Sequence, residues 1–303
     1  MGMSGVYGEA IDSESEATIR LAVDRGITFL DTGDFYGMGH NEMLLGRAIK
    51  GLRDKVTISV KFGAQRGPDG AWYGFDARPA AVKTSCAYSL KRLGVDVIDV
   101  YRPGRLDPSV PIEDTMGAIA DLIKAGYVKR AGLSEVGVET IERANKVTPV
   151  ADLQIEYSIA SRNPEQKIFP FLEKAHIGAT LYGIFSRGLL TGSKIGGRGD
   201  FRAHLPRFAG GKNASLVEKF HGFAGDHKMT PAQLCVAWVV AKQPRLMALV
   251  GARTRAQLED SLGALQKPLS QNDLAELEKL FPKDAIQGTR YAEEQMKHLD
   301  SER

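Results

Sequence analysis

Val56-Thr57-Ile58-Ser59-Val60-Lys61-Phe62-Gly63 is a nearly continuous apolar run that ends in a lysine and a glycine. Runs of this kind fit strands buried on both faces, the condition of a parallel sheet covered by helices. Six more recur along the chain, at 27–33, 95–102, 128–135, 151–158, 178–186 and 247–253. Between them the apolar residues fall into helical spacing at 14–25, 79–93, 112–125, 139–147, 165–175, 231–242, 255–265 and 272–280. Gly94 and Gly126 close two of these segments and Thr230-Pro231 opens a third, as helix stop and start signals should.

Strands alternating with helices predict a parallel α/β fold, either a closed barrel or an open doubly wound sheet. No Gly-x-Gly-x-x-Gly follows the first run, which argues against the open dinucleotide fold. The expectation is a (β/α)8 TIM barrel occupying residues 1–303 as one domain. The seven runs leave the eighth strand to residues 1–4, so the first strand is expected to be short or truncated. The interval between Ser186 and Thr230, rich in Gly, Arg and Phe, is longer than an ordinary connection. At the C-terminal ends of barrel strands it is expected to form a lid loop.

Composition narrows the class of function. The chain has 303 residues, 43% hydrophobic and 25% charged, with a net charge of +3. That is a globular composition, and Lys and Arg are dispersed rather than clustered, so no nucleic-acid footprint is present. The two cysteines, Cys86 and Cys235, both fall in helical segments and imply no disulfide framework. No run is long enough to span a membrane and the N-terminus has no signal-peptide pattern, so the expectation is a cytoplasmic protein without a membrane partner.

Reactive side chains collect at strand ends, where barrel enzymes build their sites. One run continues as Phe29-Leu30-Asp31-Thr32-Gly33-Asp34-Phe35-Tyr36-Gly37, and the next ends in Lys61. A lysine beside a tyrosine stabilises phenolate and lowers the tyrosine pKa, and a carboxylate keeps that lysine charged and oriented. The same residues also fit a purely structural reading, in which Asp31 and Lys61 bridge adjacent strands and Tyr36 packs a loop. Trp72, Tyr73 and Phe75 can either wall a substrate mouth or simply pack their loop.

The stretch Asp31-Thr32-Gly33-Asp34-Phe35-Tyr36-Gly37 resembles the aldo-keto reductase signature, with Gly33 where the family has Ala. Asn41-Glu42, Gly46-Arg47-Ala48, Lys61-Phe62-Gly63, Gly132-Leu133-Ser134-Glu135, Gln154-Ile155-Glu156-Tyr157-Ser158 and Arg187-Gly188-Leu189-Leu190-Thr191-Gly192 follow in the family order. The resemblance implies a (β/α)8 barrel that binds NADPH and reduces a small-molecule aldehyde or ketone. It makes Tyr36 the general acid, Lys61 the group that lowers its pKa, and Asp31 the residue that holds Lys61. The family histidine is missing. Tyr101-Arg102-Pro103-Gly104-Arg105-Leu106-Asp107-Pro108 puts Gly104 in its place, with Arg102, Arg105, His40 or a water as substitutes. For Arg102 an outward, solvated side chain is the expected placement, and for His40 an exposed loop position.

The resemblance also distributes a cofactor site. Thr32 belongs to it, Ser134 and Gln154 match the nicotinamide carboxamide contacts, and Tyr182 matches the stacking aromatic. Gly183, Ile184, Phe185, Ser186 and Arg187 correspond to the pyrophosphate loop. Gly251, Arg253 and Arg255 open a helix and suit the 2′-phosphate of NADPH. Asp260 and Ser261 stand where a Glu-Asn pair meets adenine. The alternative function is a non-catalytic or weakly active nicotinamide-binding regulatory subunit or redox sensor. No metal is expected.

Overall fold

The structure, a computed structural model, describes residues 2–5, 7–196 and 200–303. After a 3-10 turn at Gly2–Ser4 come α1 (Asp12–Asp24), β1 (Phe29–Gly33), α2 (His40–Ala48) and β2 (Thr57–Phe62). A hairpin of β3 (Ala64–Arg66) and β4 (Trp72–Phe75) precedes α3 (Pro79–Leu93), β5 (Ile98–Pro103), α4 (Ile112–Lys124) and β6 (Val128–Ser134). The alternation continues with α5 (Val138–Val147), β7 (Val150–Glu156), α6 (Ile168–Ala175) and β8 (Gly178–Tyr182). The chain then forms α7 (Ala214–Asp226), α8 (Pro231–Lys242), β9 (Met247–Ala248), α9 (Arg255–Leu262), α10 (Gln271–Leu280) and α11 (Glu293–Met296).

Seven strands make one sheet in the order β1-β2-β5-β6-β7-β8-β9, and every ladder in it is parallel. The sheet is strongly curled. Asp31 on β1 and Gln154 on β7 are four strands apart, about 19 Å on a flat sheet at ~4.8 Å per strand. Yet Gln154 Nε2 donates to Asp31 Oδ1 at 2.8 Å. The two ends have bent round to face each other across an interior.

Strand alternation assigns the two faces. Outward go Ile58, Val60, Phe62, Tyr101, Leu133, Leu153, Ile155 and Leu181, all essentially unexposed. They join Leu44, Val82, Met116, Ile119, Ile141 and Leu172 from the helices in one core cluster. Each such burial contributes about 1.5–3 kcal/mol, so the main core is the shell between sheet and helices. Inward, the register aligns Asp31 with Ser59, Lys61 with Arg102, and Gln154 with both Ser134 and Thr180. The interior is therefore polar, and the chemistry sits there.

Three expectations need correction. Residues 2–4 form a 3-10 turn rather than a short first strand, and among the described residues β1 and β9 share no ladder. The N-terminal segment lies near both: Arg253 Nη1 donates to Tyr7 O (3.1 Å), and Asn41 Nδ2 donates to Ser4 Oγ (2.9 Å). Second, the interval after β8 is not all lid loop, because α7 occupies its second half and buries Phe220, Phe223 and Ala224. Gly222 and Gly225 lower helix propensity there and mask it in the sequence. Third, Arg102 is not solvated. With Tyr101 facing out, its hydroxyl donating to Val82 O, Arg102 must face in, and it is 0% exposed. Gly132 makes the room: a Cβ there would lie 3.3 Å from the Arg102 guanidinium carbon.

Candidate active site

The C-terminal ends of β1, β2, β5, β6, β7 and β8 converge on one polar cluster. At its base Lys61 Nζ is hydrogen-bonded and ion-paired with Asp31 Oδ2, and both side chains are nearly fully buried (3% and 6% exposed). Asp31 Oδ1 accepts from Ser59 Oγ (2.9 Å) and Gln154 Nε2 (2.8 Å). Ser59 in turn accepts from Arg102 Nη2 (3.0 Å), whose Nη1 pairs with Asp152 at 2.5 Å. Burial opposes ionisation of Asp31, but Lys61 and Arg102 outweigh it and hold the carboxyl below its usual range. For Lys61 burial wins over the attraction of Asp31, so its ammonium holds its proton less tightly than a free lysine.

Tyr36, in the loop after β1, stands over this pair, its ring centroid 5.0 Å from Lys61 Nζ. The net shift of the Tyr36 phenol is upward. Lys61 is hydrogen-bonded to Asp31. Burial, reinforced by the Asp31 charge, pushes the Tyr36 phenol well above its ordinary value. Tyr36 is thus held firmly in its protonated form.

Gly104 follows β5 with its N–H donated to Phe62 O (2.8 Å), and its φ is not positive. A Cβ there would stand 3.3 Å from both Phe35 Cε1 and Phe62 O, and 3.5 Å from Phe75 Cε1. Aromatic rings fill the space in front of the backbone. Phe35, Trp72 and Phe75 form a T-shaped row (6.4 and 5.0 Å between centroids), while Tyr73 points into solvent. His40 lies outside the cluster, bonded to Ser4 Oγ (3.0 Å) and Asp12.

Of the residues expected to hold a cofactor, Ser134, Gln154, Tyr182 and Arg187 lie around the polar cluster, Ser134 and Gln154 buried in it. The Ser134 hydroxyl accepts from Arg105 Nη1 (3.3 Å), and Tyr182 donates to Glu135 Oε1 (2.7 Å). Gly183, Ile184, Phe185, Ser186 and Arg187 form a tight turn in which Gly183, Ser186 and Arg187 all have positive φ. A Cβ at Gly183 would strike Glu156 Cγ at 2.9 Å, so this turn requires glycine. Gly251 is exposed, with Arg253 and Arg255 beside it; Arg255 pairs with Glu14 at 2.9 Å.

Thr32, Ser261 and Asp260 have partners inside the fold. The Thr32 hydroxyl is fully buried and donates to Asn41 Oδ1 (2.8 Å), fastening the loop that carries Tyr36. Ser261 is buried and donates to Gln257 O (2.9 Å). Asp260 accepts from Thr230 and Gln233 at the start of α8. Each of the three side chains has a hydrogen-bond partner within the protein.

Sequence reasoning missed a C-terminal wall. Arg290 is bidentate on Glu135 (2.9 and 2.5 Å) and reaches Glu156 at 3.3 Å, and Ser301 also donates to Glu135. Tyr291 follows, under the Arg187 guanidinium (4.3 Å from its ring centroid), its hydroxyl accepting from Arg105 Nη2 at 3.0 Å. Despite burial, Arg187 and Arg105 hold its phenol below the ordinary value. Glu135 and Glu156 lie inside motifs already quoted, but their partners stand far away in sequence.

Asp34 supplies a pH test. Its Oδ2 accepts from Gly63 N (3.1 Å), its Oδ1 is buried without a partner among the described residues, and burial pushes the carboxyl up to about 7. The folded state therefore binds its proton more tightly than the unfolded chain does, and the native protein loses stability as pH rises from about 4 to about 7. Asp34→Asn keeps the acceptor and removes the charge. Its Tm relative to wild type should rise across that window and level off above it; a flat difference would mean Asp34 does not titrate there.

A buried tyrosine beside a buried Asp–Lys pair, at the C-terminal ends of parallel strands, is where an α/β barrel enzyme would carry its chemistry. Similarity to known proteins narrows this further. The aldo/keto reductase family pattern matches residues 1–281. "Probable aldo-keto reductase 1" of Glycine max is 37% identical over 302 residues, 96% of this chain and 86% of that one. "Aldo-keto reductase yakc [NADP(+)]" of Schizosaccharomyces pombe is 34% identical over 303 residues, covering 96% and 89%. Among solved structures, the glycerol dehydrogenase AKR11B4 from Gluconobacter oxydans superposes with a TM-score of 0.82 at 26% identity, covering 92% of this chain and 88% of that one. An aldo/keto reductase from Klebsiella pneumoniae in complex with NADP and acetate gives 0.72 at 26% identity, covering 92% and 90%. The chain belongs to the aldo/keto reductase family.

Proposed function

We propose that this protein is an NADPH-dependent carbonyl reductase, its curled sheet being the larger part of a (β/α)8 barrel and Tyr36 its proton donor. The observation that carries the reading is the Tyr36 ring over the buried Asp31–Lys61 pair, its centroid 5.0 Å from Lys61 Nζ. The residues present fit the cofactor. Ser134, Gln154 and Tyr182 stand together at the mouth, the glycine-dependent turn at 183–187 leads away from them, and Arg253 and Arg255 open α9. When bound, the reduced nicotinamide supplies a hydride to the carbonyl carbon. Tyr36 donates a hydrogen bond to the carbonyl oxygen. As that oxygen becomes alkoxide, a stronger base than even a raised phenolate, the proton passes to it. Lys61, losing its proton more easily than usual, restores the phenol, and Asp31 keeps the ammonium in place. Oxidation of NADPH with a panel of aldehydes and ketones tests this directly.

The second reading, a nicotinamide-binding regulatory subunit, draws on Gly104, which leaves no histidine donor beside Tyr36. It expects tight NADPH binding without turnover on the same panel.

For the cofactor end, Arg253 favours NADPH because NADH lacks the phosphate. Losing a charge-assisted hydrogen bond weakens binding about ten- to a hundredfold. Arg253→Ala should raise the Kd for NADPH by that factor and the Kd for NADH much less. Equal weakening would show that Arg253 acts only by holding Tyr7 and Glu9 through their carbonyls (3.1 and 3.4 Å).

A further inference from the structure

We propose that Arg105 and Tyr291 form a carboxylate receptor beside Tyr36, which makes 2-oxo acids the substrate class. This rests on the carbonyl reductase reading and adds what the carbonyl carries. The argument starts from the charges at the mouth. Lys61 pairs with Asp31, Arg102 with Asp152, Arg187 with Glu156, Arg202 with Asp200, and Arg290 with Glu135 and Glu156. Arg207 reaches Glu156 at 3.7 Å. Arg105 alone among these has no carboxylate within 4.0 Å among the described residues. Its four partners are neutral oxygens: Gly104 O (2.6 Å), Ser134 Oγ (3.3 Å), Tyr182 OH (3.3 Å) and Tyr291 OH (3.0 Å).

Burial opposes the charge of Arg105, but Tyr182, Tyr291 and the nearby Glu135 outweigh it and keep the guanidinium ionised, so an anion delivered to it would be the first carboxylate to touch it directly. Proton accounting shows a second donor ready beside it. The Tyr182 hydroxyl gives its only proton to Glu135 (2.7 Å), so in its 3.2 Å contact with Tyr291 it must accept. The Tyr291 proton therefore lies between two phenols and is free to turn to a better acceptor. The four bonds occupy the Nη1 and Nη2 hydrogens, so the donors left for the two oxygens of a carboxylate are Arg105 Nε–H and, once turned, the Tyr291 O–H.

The location fixes the ligand. Arg105 is the residue after Gly104, where a Cβ would lie 3.3 Å from Phe35, whose ring packs edge-on against Tyr36 (4.7 Å between centroids). Its contacts Ser134 and Tyr182 belong to the nicotinamide end of the proposed cofactor site, whereas Arg253 and Arg255 belong to the 2′-phosphate end. A carbonyl oxygen on Tyr36 with a carboxylate on the adjacent carbon spans the two. The row of Phe35, Trp72 and Phe75 faces the remaining, apolar part. In the reaction the carbonyl carbon gains a hydride from NADPH and its oxygen gains a proton from Tyr36. The products are a 2-hydroxy acid and NADP+.

The test compares phenylglyoxylate with its methyl ester, which has a more electrophilic ketone but no charge. Wild type should show kcat/KM at least tenfold higher for the acid. Arg105→Met should cut the acid value about ten- to a hundredfold and bring the acid-to-ester ratio to one or below. Arg105→Lys should recover part of that ratio, and Tyr291→Phe should lower it several-fold. A wild-type ratio of one or less, or an Arg105→Met variant that lowers acid and ester equally, overturns the proposal. Calorimetric titration of phenylglyoxylate into protein with NADP+ reads the receptor without turnover. If wild type reduces neither probe nor any neutral aldehyde, the reductase reading fails. The receptor then stands or falls on whether Arg105→Met abolishes this binding heat.

Discussion

Tyr36→Phe is expected to reduce turnover about a hundred- to ten-thousand-fold, the range of general acid catalysis. The substitution removes one oxygen and keeps the ring that packs edge-on against Phe35 (4.7 Å between centroids) and lies over Lys61. The variant should melt close to wild type, and cofactor fluorescence should report NADPH bound with similar affinity. Single-turnover traces would locate the loss in the chemical step. A variant within a few-fold of wild type on a good substrate would remove Tyr36 from the role of acid. Lys61, whose proton burial has already loosened, would become the candidate.

Lys61→Met should produce two losses at once. Removing one partner of a buried ion pair leaves an uncompensated charge and typically costs about 3–5 kcal/mol. Here Asp31 would be left with Gln154, Ser59 and the more distant Arg102 as its support. The pair Asp31→Asn/Lys61→Met separates the roles. Asn keeps an oxygen for Gln154 and Ser59 while cancelling the stranded charge, so the double variant should recover much of the lost Tm. Activity should stay low, because the group that restores the Tyr36 proton is still missing. Recovery of both would show that the pair is only a structural bridge.

Much of this was legible in the sequence because parallel strands covered on both faces leave long apolar runs. The seven runs that include 56–63 correspond to β1, β2 and β5–β9 with shifted ends. What failed had local causes. The β3–β4 hairpin turns through Gly67-Pro68-Asp69-Gly70, where Asp69 Oδ1 accepts from Ala71 N (2.9 Å), a turn signal that was present but hidden beside the aromatic residues. Arg102 was misplaced because both faces of β5 are apolar enough to conceal which one it follows. In the site, Asp31, Tyr36 and Lys61 could be named because their spacing is short and their motif dense. Arg290 and Tyr291 could not, since a tail without periodicity gives no sign of the carboxylates it will meet.

That tail has a consequence for the order of events on the ribosome. Glu135 leaves the ribosome 155 residues ahead of Arg290, its bidentate partner. At about 5–20 residues per second that is a delay of roughly 8–30 s. In the interval β6, β7 and β8 are available to pair, and Glu135, already bent into a positive φ of 55°, faces Glu156 without Arg290 between them. The nascent sheet therefore carries Glu135 without its bidentate partner, Glu156 having Arg187 to pair with (2.6 Å), and an open mouth in which Arg105 lacks its Tyr291 contact. Arrival of the C-terminal segment neutralises the rim and supplies the missing wall in one step. Competence for chemistry is thus acquired late, after the scaffold that bears Tyr36 and Lys61 has already formed.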